Sequence, residues 1–187
     1  AVLGRKVAMN VYLPDAYSQG ARFPVTYLLH GAGGNETEWA SNGGIAQTLD
    51  ALINRGQLRP TVAVMPTTGG GTWWVDGAAD KAEAAFMQEL IPWVERQYKV
   101  ATDRGSRSIG GQSMGGYGAL RLALKYPDKF CGAVVLSPAV YDPVPPATSA
   151  SRPCPIRWTS APGSRSTWAA SGTLSTRATT RRASGGS

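Results

Sequence analysis

Five short stretches along the chain have the hydrophobic pattern of β-strands. The runs VTYLL at 25–29 and TVAVMP at 61–66 are rich in β-branched residues, and a glycine-rich loop follows the first of them. Such runs are typical of strands buried inside a sheet. Alternation of apolar and polar residues within 1–14 predicts an earlier strand. The runs RSIGG at 107–111 and FCGAVVLSP at 130–138 predict two later strands, the last of them buried.

Three segments between these strands predict helices. Segment 45–56 ends at a glycine, which is typical of a helix C-cap. Segment 79–98 contains Pro92, which predicts a bend. A third helix follows the 107–111 strand and stops before Pro127. The apolar faces of the first two helices are formed by Ile45, Leu49, Leu52 and Ile53, and by Ala82, Phe86, Leu90, Trp93 and Val94.

Strands and helices therefore alternate along most of the chain. Parallel strands joined by right-handed helical crossovers are the simplest arrangement for that order, and they give a sheet with helices on both faces. A chain of 187 residues is long enough for one domain with a substantial core. The predicted fold class is α/β, in a single domain.

The alternation stops near Tyr141. Residues 143–187 consist largely of Ser, Thr, Ala, Pro, Arg and Gly, with no Lys, no acidic residue and no sustained period. This composition fits a natural low-complexity tail, and it also fits GC-rich coding DNA read in a shifted frame, which is the explanation that we favour. We expect a folded domain over 1–142, truncated or frameshifted after about residue 142, and a non-native or disordered tail over 143–187.

The charge of the chain follows the same division. Residues 1–142 hold 13 Lys and Arg against all 12 Asp and Glu, and the tail adds six Arg, which gives a net charge of +7. Since no aromatic platform or recognised fold accompanies these arginines, we expect no nucleic-acid partner. Cys131 and Cys154 form no disulfide framework. The chain has no run of about 18 apolar residues and no signal-peptide pattern at its start, so we expect no membrane span and leave secreted and cytoplasmic locations open.

The motif Gly111-Gln112-Ser113-Met114-Gly115 joins the 107–111 strand to the helix that follows it. A Gly-x-Ser-x-Gly match alone is weak evidence, but a strained strand-to-helix turn is where a serine nucleophile is lifted above a sheet. The glycines remove side chains where strand and helix approach most closely. We interpret Ser113 as a nucleophile rather than as an idle serine in a glycine-rich turn.

A second glycine-rich loop, residues 30–34, directly follows VTYLL. Ester hydrolysis passes through a tetrahedral oxyanion that backbone N–H groups stabilise, each worth about 3 kcal/mol. One donor follows the nucleophile, at Met114, and the best candidate for the other is Ala32. The alternative is a phosphate-binding loop, but neither of the glycine signatures of such loops occurs here.

The segments YLLHGAGGNETEW (27–39) and SIGGQSMGGYGAL (108–120) together resemble the putative esterase family of the α/β-hydrolase superfamily, which includes esterase D, feruloyl esterases and mycolyltransferases. The resemblance covers residues 1 to about 142. It implies an α/β-hydrolase fold, here incomplete at the C-terminus, that acts on small-molecule carboxylic esters through a Ser-acid-His triad without a cofactor or metal. It implies an acyl-enzyme at Ser113 and oxyanion donors at Ala32 and Met114.

The sequence departs from that family after Ser113. His30 is its only histidine, and its place in the oxyanion loop suits ordering that loop better than deprotonating Ser113. The resemblance implies that the triad acid and histidine follow two further strands, which this sequence lacks. Asp142 is the one acid in a related position, although in YDP it is more typical of a turn. We therefore expect an esterase whose activity is weak or lost, with an acyltransferase or a catalytically dead fragment as alternatives.

Several residues beside these motifs are candidates for substrate contact. Trp73 and Trp74 follow the 61–66 strand at the sheet edge where α/β folds bind ligands, so they either wall an acyl pocket or pack under a loop. His30 and Gly31 begin the glycine-rich loop, and Gln112 directly precedes Ser113, so these three are candidates as well. None of them identifies the ester.

The predicted sheet has an open end. If no strand follows 130–138, that strand exposes an apolar edge, and exposed edges pair with other chains. The sequence therefore predicts self-association.

Overall fold

The computed structural model describes residues 2–78, 80–141 and 168–175. The strands of its sheet are β1 (Val7–Leu13), β2 (Val25–Leu29), β3 (Val62–Pro66), β4 (Arg107–Gln112), β5 (Gly132–Leu136) and β6 (Trp168–Ser175). Their order is β5-β4-β2-β3-β1-β6. Strands β2 to β5 run parallel, β1 is antiparallel to β3, and β6 is parallel to β1. The sheet is therefore mostly parallel, as the alternation of strands and helices predicts.

Helices cover both faces of this sheet. They are α1 (Glu38–Ser41), α2 (Ile45–Asn54), α3 (Ala82–Ala84), α4 (Ile91–Gln97) and α5 (Met114–Lys125), with a π-helical stretch at Ala85–Leu90 and 3₁₀ turns at Asp15–Gln19 and Arg104–Ser106. No helix within the described ranges is both long and apolar enough to span a membrane.

Two clusters of buried side chains hold these helices to the sheet. On one face, Ile45, Leu49 and Ile53 of α2 pack against the buried residues Tyr12, Leu28, Ala63 and Met65. On the other face, the core includes Tyr27, Phe86, Leu90, Val94 and Leu122. Because successive side chains of a strand point to opposite faces, Tyr27 and Leu28 of β2 belong to different clusters. The α/β fold class is confirmed.

The helix predicted over 79–98 is continuous but changes its type along its length. Helix α3, the π-helical stretch and α4 follow one another without a break from Ala82 to Gln97. Pro92 is the second residue of α4, directly after the stretch. A proline has no N–H to donate, and its ring collides with the carbonyl four residues earlier. A wider turn before Pro92 relieves that collision, and the bend itself stays a prediction.

A buried carboxylate fastens α5 to α3. Glu83 accepts hydrogen bonds from Lys125 Nζ at 2.5 Å and Tyr126 Oη at 2.6 Å, and it also pairs with Arg121. Burial alone would raise the pKa of Glu83, but these bonds lower it to about 2. Since the pKa lies below that of a free carboxyl, this contribution to stability is present above about pH 4.5 and is lost as the pH falls toward 2. The helix that begins beside Ser113 is thus anchored at its far end.

Strand β5 is not buried as the sequence predicts. It pairs with β4 on one side and with no other described strand, so Val134 and Leu136 are 58% and 46% exposed. Strand β6 lies within 143–187, where the sequence predicts no folded element, but it pairs with β1 at the opposite edge. The rest of that tail lies outside the described residues, and its non-native origin stays a prediction.

We propose that the exposed edge of β5 pairs with a second copy of this chain, which is the first prediction. The exposed apolar side chains of Val134, Leu136 and Val140 lie on or just after this strand. We expect the sedimentation coefficient to rise with protein concentration. A charge on an edge strand opposes such pairing, so Val134→Lys should weaken the rise, whereas the control Gln47→Lys on α2 should not. A wild-type sedimentation coefficient that stays at the value of a monomer at all concentrations would contradict the proposal.

Candidate active site

Ser113 lies at the turn between β4 and α5, where its backbone is strained. Its φ of 53° and ψ of −118° fall in a region that L-residues rarely adopt. The turn is held from both sides, because the Ser113 N–H donates to the Leu136 carbonyl at 2.9 Å and its carbonyl accepts the Ala139 N–H at 3.0 Å. Strain of this kind persists only where the surroundings impose it, and it is typical of active sites. The side chain is half-buried at the start of the helix.

The two glycines of the motif have no room for a side chain. A Cβ on Gly111 would overlap the carbonyl of Gly115. A Cβ on Gly115 would overlap the carbonyl oxygen of Leu29 and lie 2.6 Å from that of His30. The contact of Gly115 with the end of β2 brings the nucleophile turn against the His30–Gly34 loop. The two motifs, which are about 80 residues apart in the sequence, therefore form one site.

Hydrogen bonds around Gly31 orient the peptide that carries the Ala32 N–H. The Gly31 carbonyl accepts from His30 Nδ1 at 2.8 Å and from the Gly34 N–H at 3.1 Å. In a planar trans peptide the N–H points opposite to the carbonyl, so the Ala32 N–H points away from the buried imidazole. Ala32 is exposed, and no acceptor within the described residues takes its N–H. Met114 is the first residue of α5, where an N–H has no partner inside the helix.

An acid that the sequence analysis did not single out joins the two loops. Glu38 Oε1 accepts the Gly31 N–H at 2.9 Å and the side-chain amide of Gln112 at 3.2 Å. Gln112 is exposed directly before Ser113, and Gly31 is buried. The only signal for this residue is its position inside the 27–39 segment, because nothing in a one-dimensional pattern indicates which loop a carboxylate will contact.

His30 is wholly buried, and both of its ring nitrogens are occupied. Because a carbonyl only accepts, Nδ1 carries the proton donated to Gly31, and Nε2 accepts from the Thr67 hydroxyl at 3.0 Å. Burial lowers the pKa of His30, against the opposing effects of the Gly31 hydrogen bond and the Glu38 carboxylate. The imidazole is therefore neutral at neutral pH and orders the loop, and it has no free lone pair with which to deprotonate Ser113.

The second prediction concerns acid stability. The unfolded chain binds a proton on His30 below about pH 6.5 that the folded protein does not bind, so stability should fall as the pH drops through this range. We expect a lower thermal midpoint at pH 5.5 than at pH 7.5. His30→Gln, whose amide can form both hydrogen bonds without titrating, should show a smaller pH dependence. Equal pH dependence in the two proteins would contradict a buried neutral imidazole.

The tryptophan pair lies beneath the site. Trp74 is wholly buried, its ring is 5.0 Å from that of His30, and its Nε1 donates to the His30 carbonyl at 3.3 Å. A Cβ on Gly118 of α5 would lie 2.7 Å from Trp74 Cβ. Trp73 is only partly buried and packs edge-on against Tyr117, with ring centroids 5.7 Å apart. Trp74 and His30 thus have no surface to offer a substrate in this structure, and Trp73 stays a candidate.

Among the described residues, no histidine is placed to act as a base for Ser113. His30 is the one histidine of all 187 residues, and its nitrogens are engaged. Asp142, the weak candidate for the triad acid, lies outside the described residues. Within those residues, no group of His, Cys, Asp and Glu side chains could hold a metal ion.

An open groove lies beside the His30–Gly34 loop, and Ser113 is not among the residues that line it. Its volume is about 510 Å³. It is lined by the start of β1 and by the loops after β2 and β3, including Lys6, Gly34, Asn35, Thr67 and Gly70. Like Ser113, these loops follow the carboxyl ends of parallel strands, the edge at which α/β folds bind ligands.

Comparisons with known proteins agree with this geometry. The family model described as "Putative esterase" matches residues 1–184. The chain is 33% identical over 149 residues to an endo-1,4-beta-xylanase/feruloyl esterase of Xylanibacter ruminicola, which covers 75% of this chain and 20% of that protein. It is 32% identical over 141 residues to Esterase Rv1288 of Mycobacterium tuberculosis, which covers 71% of this chain and 29% of that one.

A solved structure of a ferulic acid esterase matches with a TM-score of 0.65 and 33% identity, over 68% of this chain and 50% of that one. The chain thus spans half or less of the length of each of these three proteins. Family, motif geometry and fold agree. This chain belongs to the esterase family of α/β-hydrolases, a family of carboxylic ester hydrolases.

Proposed function

We propose that this chain acts on small-molecule carboxylic esters through an acyl-enzyme at Ser113, and that its turnover is weak. The observation that carries the proposal is the strained Ser113 backbone, with a φ of 53°, at the start of α5. With a ψ of −118° this backbone also lies outside the left-handed helical region, and strain of this kind costs about 1–3 kcal/mol and is typical of active sites. The relatives include a feruloyl esterase and an acetyl esterase, which supports the ester class.

In the proposed reaction, Ser113 Oγ attacks the ester carbonyl carbon. A C–O bond forms, the carbonyl π electrons move to the oxygen, and the resulting oxyanion accepts hydrogen bonds from Ala32 and Met114 N–H. Collapse of this intermediate breaks the bond to the alcohol oxygen, which takes up a proton and leaves. Water then attacks the acyl-enzyme in the same way, which releases the acid and restores Ser113.

The slow step of this reaction is the loss of the Ser113 hydroxyl proton. In a complete triad a histidine takes this proton and later gives it to the leaving group. Here the His30 nitrogens are bonded to Gly31 and Thr67, so the proton goes to solvent. Removing the base from a known triad costs about a millionfold in turnover, and a residual acceleration of about 10³–10⁴ over water comes from the oxyanion hole and binding. We expect turnover in this residual range.

The third prediction tests this proposal with an activated aryl acetate. We expect slow release of the aryl alcohol, above the buffer blank and lost in Ser113→Ala. Gln47→Ala, on the distant helix α2, serves as a control that keeps the wild-type rate. If wild type and Ser113→Ala release the alcohol equally fast, the proposed acyl-enzyme is wrong. A turnover of about 10 s⁻¹, the median for enzymes, would contradict the proposed weak turnover.

A further inference from the structure

We propose that Glu38 is a positioning residue, whose carboxylate fixes the oxyanion loop against the residue before the nucleophile. The inference rests on the proposed role of Ser113 and deepens it. A single oxygen, Oε1, accepts from the Gly31 N–H at 2.9 Å and from Gln112 Nε2 at 3.2 Å. Hydrogen bonds to an ionised acceptor are about twice as strong as those between neutral groups. Glu38 therefore links the start of the oxyanion loop, at Gly31, to the turn that holds Ser113, at Gln112.

The space around Glu38 supports the same role. A Cβ on Gly34 would overlap Glu38 Oε2, so the carboxylate occupies the space that a side chain at position 34 would take. A Cβ on Gly31 would lie 3.1 Å from Gln112 Nε2. Two of the glycines in the oxyanion loop thus make room for this carboxylate and for its partner amide.

The backbone that carries Glu38 is itself tied to the sheet. The indole N–H of the next residue, Trp39, donates to the Leu29 carbonyl at 3.1 Å, at the end of β2. On the other side, Asn10 of β1 donates through Nδ2 to the Glu36 carbonyl at 3.2 Å. The chain on both sides of Glu38 is thus held by two strands, so the carboxylate has a fixed base from which to position the residues that it contacts.

The hydrogen bonds of Gly31 determine whether the Ala32 N–H can donate to an oxyanion. Glu38 takes the Gly31 N–H, while the Gly31 carbonyl is held by His30 and Gly34. With both sides of Gly31 occupied, its two flanking peptides cannot flip, and the Ala32 N–H keeps its outward direction. Without Glu38 the peptide before Gly31 is held only through the His30 carbonyl, which accepts from Trp74 Nε1, so the start of the loop loosens and the donor can move out of place.

The test measures the rate at which a fluorophosphonate labels the full-length protein. Glu38→Ala should slow labelling by about tenfold, because a misplaced donor forfeits part of the 10²–10³ that one oxyanion donor contributes. Glu38→Gln keeps an acceptor oxygen in place and should stay within about threefold of wild type. Glu38→Asp withdraws the carboxylate by one methylene and should resemble alanine, which covers the case in which Glu38→Ala does not fold. Thr37→Ala, exposed and bonded to Asn35, is the control.

A second readout separates this inference from the proposed function. Hydrogen exchange of the Gly31 amide, followed by NMR, should be slow in wild type and Glu38→Gln and at least about tenfold faster in Glu38→Ala or Glu38→Asp. If wild type is not labelled, the proposed role of Ser113 fails and the exchange rates alone decide on Glu38. Unchanged exchange of Gly31, or labelling of Glu38→Ala and Glu38→Asp at the wild-type rate, would overturn the inference.

Discussion

Replacing Gly115 with alanine is expected to destabilise the domain by about 3 kcal/mol and to abolish labelling of Ser113. The added Cβ would overlap the Leu29 carbonyl oxygen and lie 2.6 Å from that of His30. Both of these atoms belong to backbone, which cannot rotate away as a flexible side chain can. Overpacking of a filled site costs about 1–3 kcal/mol, and here the cost falls at the upper end because two main-chain segments must separate.

Chemical denaturation gives the stability, and Gly132→Ala provides a matched control. A Cβ on Gly132 would meet nothing within 4 Å, so this second Gly→Ala change should alter stability by no more than about 0.5 kcal/mol. The separation of the α5 start from β2 would also displace Ala32 from Met114, which is why labelling is lost with stability. Equal stability of the two variants would show that the close approach of α5 and β2 is not required.

Much of the fold follows from local pattern. The β-branched runs at 25–29 and 61–66 form β2 and β3 as expected, because their apolar side chains have a sheet interior to occupy. The run at 130–138 has the same composition, yet β5 lies at an edge with exposed side chains. An apolar composition indicates that a strand is suited to burial. Whether it is buried depends on a neighbouring strand or helix from elsewhere in the chain.

The backbone shape of the candidate site was predictable where a motif specifies it, whereas the roles of its residues stay predictions. The Gly-x-Ser-x-Gly turn and the glycine-rich loop indicate Ser113, Ala32 and Met114. These motifs are recognisable because only glycine fits where their backbones approach so closely. The engagement of His30 by Thr67 and the reach of Glu38 to Gln112 depend on contacts between distant loops. No period or motif encodes these contacts, so only the folded structure places them.

Ser113→Ala is expected to remove labelling by a fluorophosphonate completely. The probe reacts with an activated serine and requires no knowledge of the natural ester. Without a base the wild-type reaction should be slow, on a scale of hours rather than minutes, but the oxyanion hole should still favour Ser113 by a factor of about 10³–10⁴ over a serine free in water. The 14 other serines of the chain serve as internal controls, since none lies in a Gly-x-Ser-x-Gly turn.

The most direct test of Ser113 as the nucleophile is intact mass and peptide mapping after this labelling, in wild type and Ser113→Ala side by side. We predict one adduct per wild-type chain, on the peptide that contains Ser113, and no adduct on the variant. Equal labelling of both proteins, labelling of another residue, or no labelling of wild type after prolonged incubation would contradict it.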